Sequence, residues 1–472
     1  MSAYDHGEFY CEMTSQRSQP LLAKIVKKLN ALDIGALRRR ARDAERELFN
    51  LGITFTVYTD REAIDRILPF DVIPRILSSQ DWEVIETGVK QRVAALNLFL
   101  HDIYHDEHIL NDGILPSALV KGNKNYRPEM KGVDVPKGTY VHICGTDLVR
   151  DKKGTFCVLE DNARCPSGVS YVIENRHLMM RTFSDLAEGI PIADIDGYGT
   201  RLAQALADVA PRQSSDPTIA VLSPGVYNSA YFEHVFLARE MGVPLVEGQD
   251  ILVEDDKVYM LSTSGKQKVD VIYRRIDDEF LDPEAFRPDS MLGVPGLFAA
   301  YRKGNVTLAN AVGTGVADDK AVYAYMPRII RYYLGEDPIL PNVPTNICGE
   351  EKGLKKTLDK LDKLVTKPVG EAGGYGVVVG PHASKRQLSQ LRTRLKEDPK
   401  NYISQPMVEL SVAPTLIGRA IEPRHVDLRP FALTGESTWV LPGGLTRVAM
   451  KRGSLIVNSS QGGGSKDTWV LV

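Results

Sequence analysis

Apolar residues recur at three- and four-residue spacing from Ile85 through Val89, Val93, Leu96 and Leu100 to Ile103. That period predicts one long helix with a core-facing stripe. Ser79 is placed to cap it, and Asp81 and Glu83 put negative charge in its first turn. His101, His105 and His108 share the helical spacing but are interleaved with Asp102 and Asp106, so they read as solvent-facing rather than as a metal site. Upstream, Pro20 to Phe49 is helical with a basic face at Arg38, Arg39 and Arg40, and Ile53 to Tyr58 is β-branched and aromatic, as a strand is. Residues 1–20 are polar and read as a loose arm, and residues 113–137, rich in Gly, Lys and Pro, as a connecting loop.

The pattern changes character at Pro217. A buried strand at Ile219–Leu222, a Ser223-Pro224-Gly225 turn, a helix from Asn228 stopped by Gly242 and a strand at 243–246 make a β-α-β beginning. No G-x-G-x-x-G follows the first strand, which weakens a nicotinamide reading. A hairpin is predicted across 251–261, and a strand at 269–273 ends in Arg274, Arg275, Asp277 and Asp278. Charges at such a strand end line a ligand crevice or form surface ion pairs. Further on, a helix is predicted through Tyr333, a stiff linker at Pro338, Pro341 and Pro344, and a charged helix over 357–364. The tail from Asn458 to Asp467 is glycine-rich and reads equally as linker or as packed loop.

With 472 residues, 43% hydrophobic and 25% charged, the chain has material for two or three globular domains. A net charge of -3 without a basic block makes nucleic acid an unexpected partner. No run is long and apolar enough for a membrane span, and the start is unlike a signal peptide. The five cysteines lack C-x-x-C spacing, which argues against zinc or a disulfide framework and for the cytoplasm.

Two stretches carry candidate chemistry. In the first, Asp147 to Asn162, a turn at Asp151-Lys152-Lys153-Gly154 folds Asp147 back toward Glu160 and Asn162. The last two are two apart and share a strand face. Two carboxylates and an amide oxygen suit Mg²⁺, although a solvated hairpin has the same residues. A Pro166-Ser167-Gly168 turn follows, able to offer backbone N–H groups to an anion. In the second stretch, Lys367 enters a loop containing Gly370, Gly373, Gly374, Tyr375 and Gly376 between two strands. It is not a Walker A loop, but glycines let N–H groups approach phosphate oxygens.

Lys320 before a helix, Lys367 before the glycine loop, and Glu160-x-Asn162 with upstream Asp147 together resemble an ATP-grasp enzyme. The acids precede the lysines, which resembles the circularly permuted ATP-grasp group that includes glutathionylspermidine synthase. The stretches VLEDNARCPSGVSYVIENR, NSAYFEH, YRRIDD, RHVDLRPF, GGLTRVA and SSQGGGSKDTW resemble its bacterial type 2 family over nearly the whole chain. The resemblance implies a mixed α/β fold: a permuted ATP-grasp core, a Rossmann-like unit and a helical N-terminal region. The expected parts are a helical region (1–130), a metal-ligand half of the core (131–215), a Rossmann-like unit (216–315), a lid (316–404), and a hinge with the remaining core (405–472). It implies ATP and Mg²⁺, with Asp147, Glu160 and Asn162 as metal ligands. Lys320, Lys367, Gly373, Gly374, Tyr375, Gly376, Gln405 and Met407 would form the nucleotide site. Related synthetases carry an arginine two residues before the first metal aspartate, where this chain has Gly145. Arg150 and Arg164 are the candidates for that charge. Arg274, Arg275, Arg424 and Arg429 are candidates for holding an acidic substrate or for structural ion pairs. The implied activity is ligation of a small acid or peptide to an amine through an acyl-phosphate. A partner-dependent ATP-binding module or a phosphotransferase are its rivals.

Overall fold

In a computed structural model of the chain, the described residues are 4–16, 19–58, 63–211, 216–370, 376–455, 457–458 and 462–472. The long predicted helix is present as Ser79–Tyr104, capped one residue earlier than expected: the Ser78 side chain accepts from the Asp81 N–H. Its apolar stripe packs on an antiparallel sheet of four strands in the order Thr438–Val440, Phe431–Thr434, Ile143–Arg150 and Phe156–Asn162. The predicted acidic hairpin forms the latter two strands.

That hairpin has two different faces. Leu148 and Val158 join the core beneath the helix, and Asp161 points the same way, to Arg92. Val149, Cys157 and Leu159 face the opposite side and pack with Val343 and Leu410. Arg92 is fully buried, gripping Asp161 through Nε and Nη2 and donating through Nη1 to Asn342 Oδ1 at 2.8 Å. A β-bulge interrupts the register: Asp147 pairs with Glu160 and Leu148 with Val158, leaving Leu159 unpaired. The extra residue turns Leu159 and Glu160 toward the same side, which strict alternation forbids.

The Rossmann-like expectation is met by a parallel sheet in the order Thr307–Ala309, Val271–Arg274, Ile219–Leu222, Leu245–Val246. The Tyr231–Met241 helix is closed by Gly242 in the left-handed region, at φ 69°. A further antiparallel sheet, Asn346–Ile347, Tyr402–Pro406, Leu364–Pro368 and Val378–Val379, carries Lys367. Cys348, Leu361, Leu391, Leu395 and Tyr402 give it a small core of its own. The charged helix beside it is Glu351–Asp359, earlier than predicted, because Leu364 already belongs to a strand.

Two expectations change. Of the two readings of the glycine-rich tail, linker or packed loop, packing holds from Gly464 on, but as a strand: Gly464–Val470 is wholly buried between Thr446–Val448 and Phe70–Leu77. Its charged residues are paired, Lys466 with Asp71 and Asp467 with Arg176. The described part of the N-terminal arm is not loose. Cys11 and Met13 are buried, and Glu12 meets Arg75 at 2.7 Å. The His101 and His105 rings stack at 4.1 Å, and among the described residues no three His, Cys, Asp or Glu side chains converge on a metal position. No described helix is long and apolar enough to cross a membrane.

The Arg92–Asp161 pair gives the first test. Arg92→Met strands a carboxylate in the core and should cost about 3–5 kcal/mol of unfolding free energy. The double variant Arg92→Met/Asp161→Leu should recover much of that loss in urea titration. Equal losses in the two variants would show that the pair is not what anchors the hairpin to the helix.

Candidate active site

Between the bulged hairpin and the Lys367 sheet lies a cleft of about 440 Å³. Val149, Leu159, Val365, Val379, Met407 and Leu410 give it an apolar end. Its polar end holds Asp147, Glu160, Lys320, Lys367, Asp427 and Arg447. Apolar walls meeting a cluster of charges fit a ligand with a flat apolar part and an anionic part.

Each charge has a structural reason to be there. Register sets Asp147 directly opposite Glu160. Lys320 opens the short Lys320–Tyr323 helix, whose N-cap Asp319 accepts from the Ala321 and Val322 N–H groups. Its ammonium lies 3.0 Å from Glu160 Oε2. Burial pushes the Lys367 ammonium down from its ordinary 10.5 to about 8; Lys320 repels it further, and Glu160 and Asp147 partly offset both.

Asp147 is the most tightly held of the carboxylates. Arg429 grips it bidentately, with Nη2 at 2.8 Å from Oδ2, and Arg447 Nη2 donates to the same oxygen at 2.7 Å. Burial alone would raise this carboxyl, but the two guanidiniums outweigh it and hold Asp147 well below the usual carboxylate range. Arg447 also binds Asp427, through Nε at 3.0 Å and through Nη2 at 2.5 Å. Burial raises the Asp427 carboxyl against the pull of Arg447.

The structure sorts the sequence candidates. Asp147, Glu160, Lys320, Lys367, Gly376, Gln405 and Met407 come together on the cleft wall. The Gln405 amide donates to Thr345 Oγ1 at 3.0 Å. Asn162 sits two pairs beyond the cleft acids, opposite Gly145, whose carbonyl accepts from its amide at 3.0 Å. Gly373, Gly374 and Tyr375 lie outside the described residues.

The arginine candidates fare differently. Arg150 is three residues from Asp147 and so faces the other side of the strand. It binds Asp81 at 2.8 Å and stacks 4.2 Å from Tyr10 and 4.4 Å from Phe156. Arg164 lies between Asp277 at 3.5 Å and Asp318 at 3.4 Å, away from the cleft wall. Arg274 is consumed by Asp278 at 2.7 Å and three backbone carbonyls. Arg275 binds Glu233 at 3.0 Å and the Pro166 carbonyl at 2.7 Å, pinning the Pro-Ser-Gly turn. Arg424 is held by Glu422 at 2.9 Å. Arg429 reaches the site, but onto Asp147. Asp427 and Arg447 were not anticipated; the signal available was the alternation of Asp427 and Arg429 in RHVDLRPF and the Gly443-Gly444 pair before Arg447.

The residues fit a hard divalent cation. Asp147 and Glu160 present carboxylates to one cleft, Asp147 kept ionised by its arginines, and Asn162 adds an amide two pairs further along the hairpin. Two or three oxygen donors without thiol or imidazole suit Mg²⁺ shared with phosphates.

The model of the circularly permuted ATP-grasp type 2 family matches residues 74–449, and the chain belongs to that family. An uncharacterised Synechocystis sp. protein is 52% identical to it, over 100% of this chain and 98% of its own length. A Frankia casuarinae chain named "Putative glutamate--cysteine ligase 2-2" is 44% identical over 98% of this chain, which spans 53% of that longer protein. Among solved structures, a glutathione synthetase-like effector from Globodera pallida in its apo form matches with a TM-score of 0.58. It is 11% identical, and the match covers 93% of this chain and 98% of the effector. That match shows a shared fold.

Lys367 provides a test of the cleft's electrostatics. In the folded chain it releases its proton near pH 8, while the unfolded chain keeps it to about 10.5. Between those values the unfolded state binds more protons, so stability rises with pH; below about 8 the cost of the buried charge is fully present. Urea unfolding from pH 7.5 upward should therefore show a gain in the parent chain that Lys367→Met lacks. Parallel curves for the two would place the ammonium in water.

Proposed function

We propose that the protein is an ATP- and Mg²⁺-dependent carboxylate–amine ligase working through an acyl-phosphate. The observation that carries this is one cleft in which two facing carboxylates, Asp147 and Glu160, stand against two lysines, Lys320 and Lys367. Its apolar end, with Gln405 and Met407, suits a purine, and its charged end suits a triphosphate. Family membership supports the reaction class. A peptide or amino-acid-like acid as substrate is supported by the glutamate–cysteine ligase name of the Frankia relative and the glutathione synthetase likeness of the structural neighbour. Glutathionylspermidine synthase is the kind of enzyme this reading points to.

The residues divide the work by charge. Asp147, Glu160 and Asn162 would hold the cation, which supplies charge neutralisation at the phosphate oxygens. Lys320 and Lys367 neutralise phosphate from the opposite wall. Lys367 keeps its proton below about pH 8, and an approaching polyanion would extend that range upward. The carboxylate substrate must meet a phosphoryl group of like charge, so the cleft has to be rich in fixed cations. The segment from Gly370 to Gly376 would cover the phosphates and keep water from the acyl-phosphate. The amine then attacks the acyl carbon, and phosphate leaves.

The decisive measurement is phosphate release from ATP and Mg²⁺ against pooled small acids and peptides, with and without polyamines and amino acids. Release should require both an acid and an amine. Release needing no amine would mark a phosphotransferase, and ATP binding with no release under any pool would mark a module that needs a partner. Glu160→Gln should cut release about 100-fold or more with an unchanged melting temperature. Full release by a folded Glu160→Gln protein would remove Glu160 from the site.

A further inference from the structure

The arginine expected two residues before Asp147 is absent, and the structure shows what fills its place. A Cβ built on Gly145 would meet Cδ of Arg429 at 3.2 Å and Cγ at 3.4 Å. The Arg429 stem thus runs through the space a side chain at 145 would take. Its guanidinium does not serve the cleft: it is spent on Asp147 and, through Nη1, on the Ser167 carbonyl at 3.1 Å. Among the described lining residues Arg447 is the one arginine. It comes from the Thr446–Val448 strand, and its bonds to Asp147 and Asp427 run through Nε and Nη2.

We infer that Arg447 is the catalytic arginine of this chain, the guanidinium that meets the transferring phosphoryl group and the substrate carboxylate, with Asp427 as its positioning residue. The inference rests on the ligase reading above and adds to it the source of the missing charge. Three features support it. Arg447 sits on the cleft wall with Glu160, Lys320 and Lys367, where the phosphates would lie. Two carboxylates aim its planar fork, and a preset guanidinium loses little freedom on binding an anion. Asp427 matches its charge even when Asp147 is engaged elsewhere, so Arg447 stays anchored while one edge turns to a ligand.

The test separates the nucleotide from the phosphoryl group. MgADP binding and its tightening by aluminium fluoride, which mimics the phosphoryl group in flight, are measured by calorimetry on the full chain. Variants are Arg447→Lys and the charge-balanced Arg447→Met/Asp427→Asn, which avoids stranding a buried carboxylate. Measured against each variant's own MgADP affinity, both should lose about 10- to 100-fold of the fluoride-dependent tightening. An Arg447 that merely braced the fold would weaken both complexes together and lower the melting temperature, and that result overturns the assignment. So does full tightening in both variants. A parent chain that binds no MgADP sinks the ligase reading and this inference together, whereas MgADP binding with no fluoride effect in the parent sinks this inference alone.

Discussion

A carboxylate as deeply buried as Asp147 stays charged only if cations are built around it, and much of the active-site architecture follows from that requirement. Its two partners, Arg429 and Arg447, are 282 and 300 residues away in the chain. Their strands must therefore close on the hairpin before the carboxylate is tolerable in the interior. The bridges Leu148–Leu428 and Arg429–Leu445 stitch those segments to the hairpin and to each other. The described lining then sets three carboxylates, Asp147, Glu160 and Asp427, against three cations, Arg447, Lys320 and Lys367, with Arg429 clamping Asp147 from behind.

The same solution recurs where the chain's ends are built in. Asp71, Arg75, Lys466 and Asp467 all lie in wholly buried strands, and each has a charged partner. Such pairs add little net stability over apolar residues of equal size, because desolvation offsets the attraction. They do make misregistration expensive. Shifting the Gly464–Val470 strand by one residue would turn Lys466 away from Asp71 and leave two buried charges unpaired. On this view the charges hold the register of a strand whose mostly polar sequence specifies it weakly.

That also explains which parts of the molecule were legible in the sequence. The Ser79–Tyr104 helix, the acidic hairpin and the β-α-β unit rest on local period and turn chemistry, which a single sequence carries. The Phe70–Leu77 and Gly464–Val470 strands do not. Their charges and glycines read as surface until distant partners are known. The bulge at Leu159 has no signature of its own, yet it is what lets Leu159 and Glu160 line one cleft. Among the arginines, strand parity alone separates Arg150 from Asp147. No local rule marks Arg275 as bound to Glu233, or Arg447 as facing the cleft.

The exchange at Gly145 shows why site residues transfer poorly by sequence position. What a phosphoryl transfer demands is a guanidinium at a point in space, held so that it need not reorganise during the reaction. The strand carrying Asp147 is one place to root it; a neighbouring strand that reaches the same wall is another. In this chain a Cβ at 145 would crowd the Arg429 stem, approaching it to 3.2 Å. With Arg429 clamping Asp147, the arginine that lines the cleft comes from the Thr446–Val448 strand.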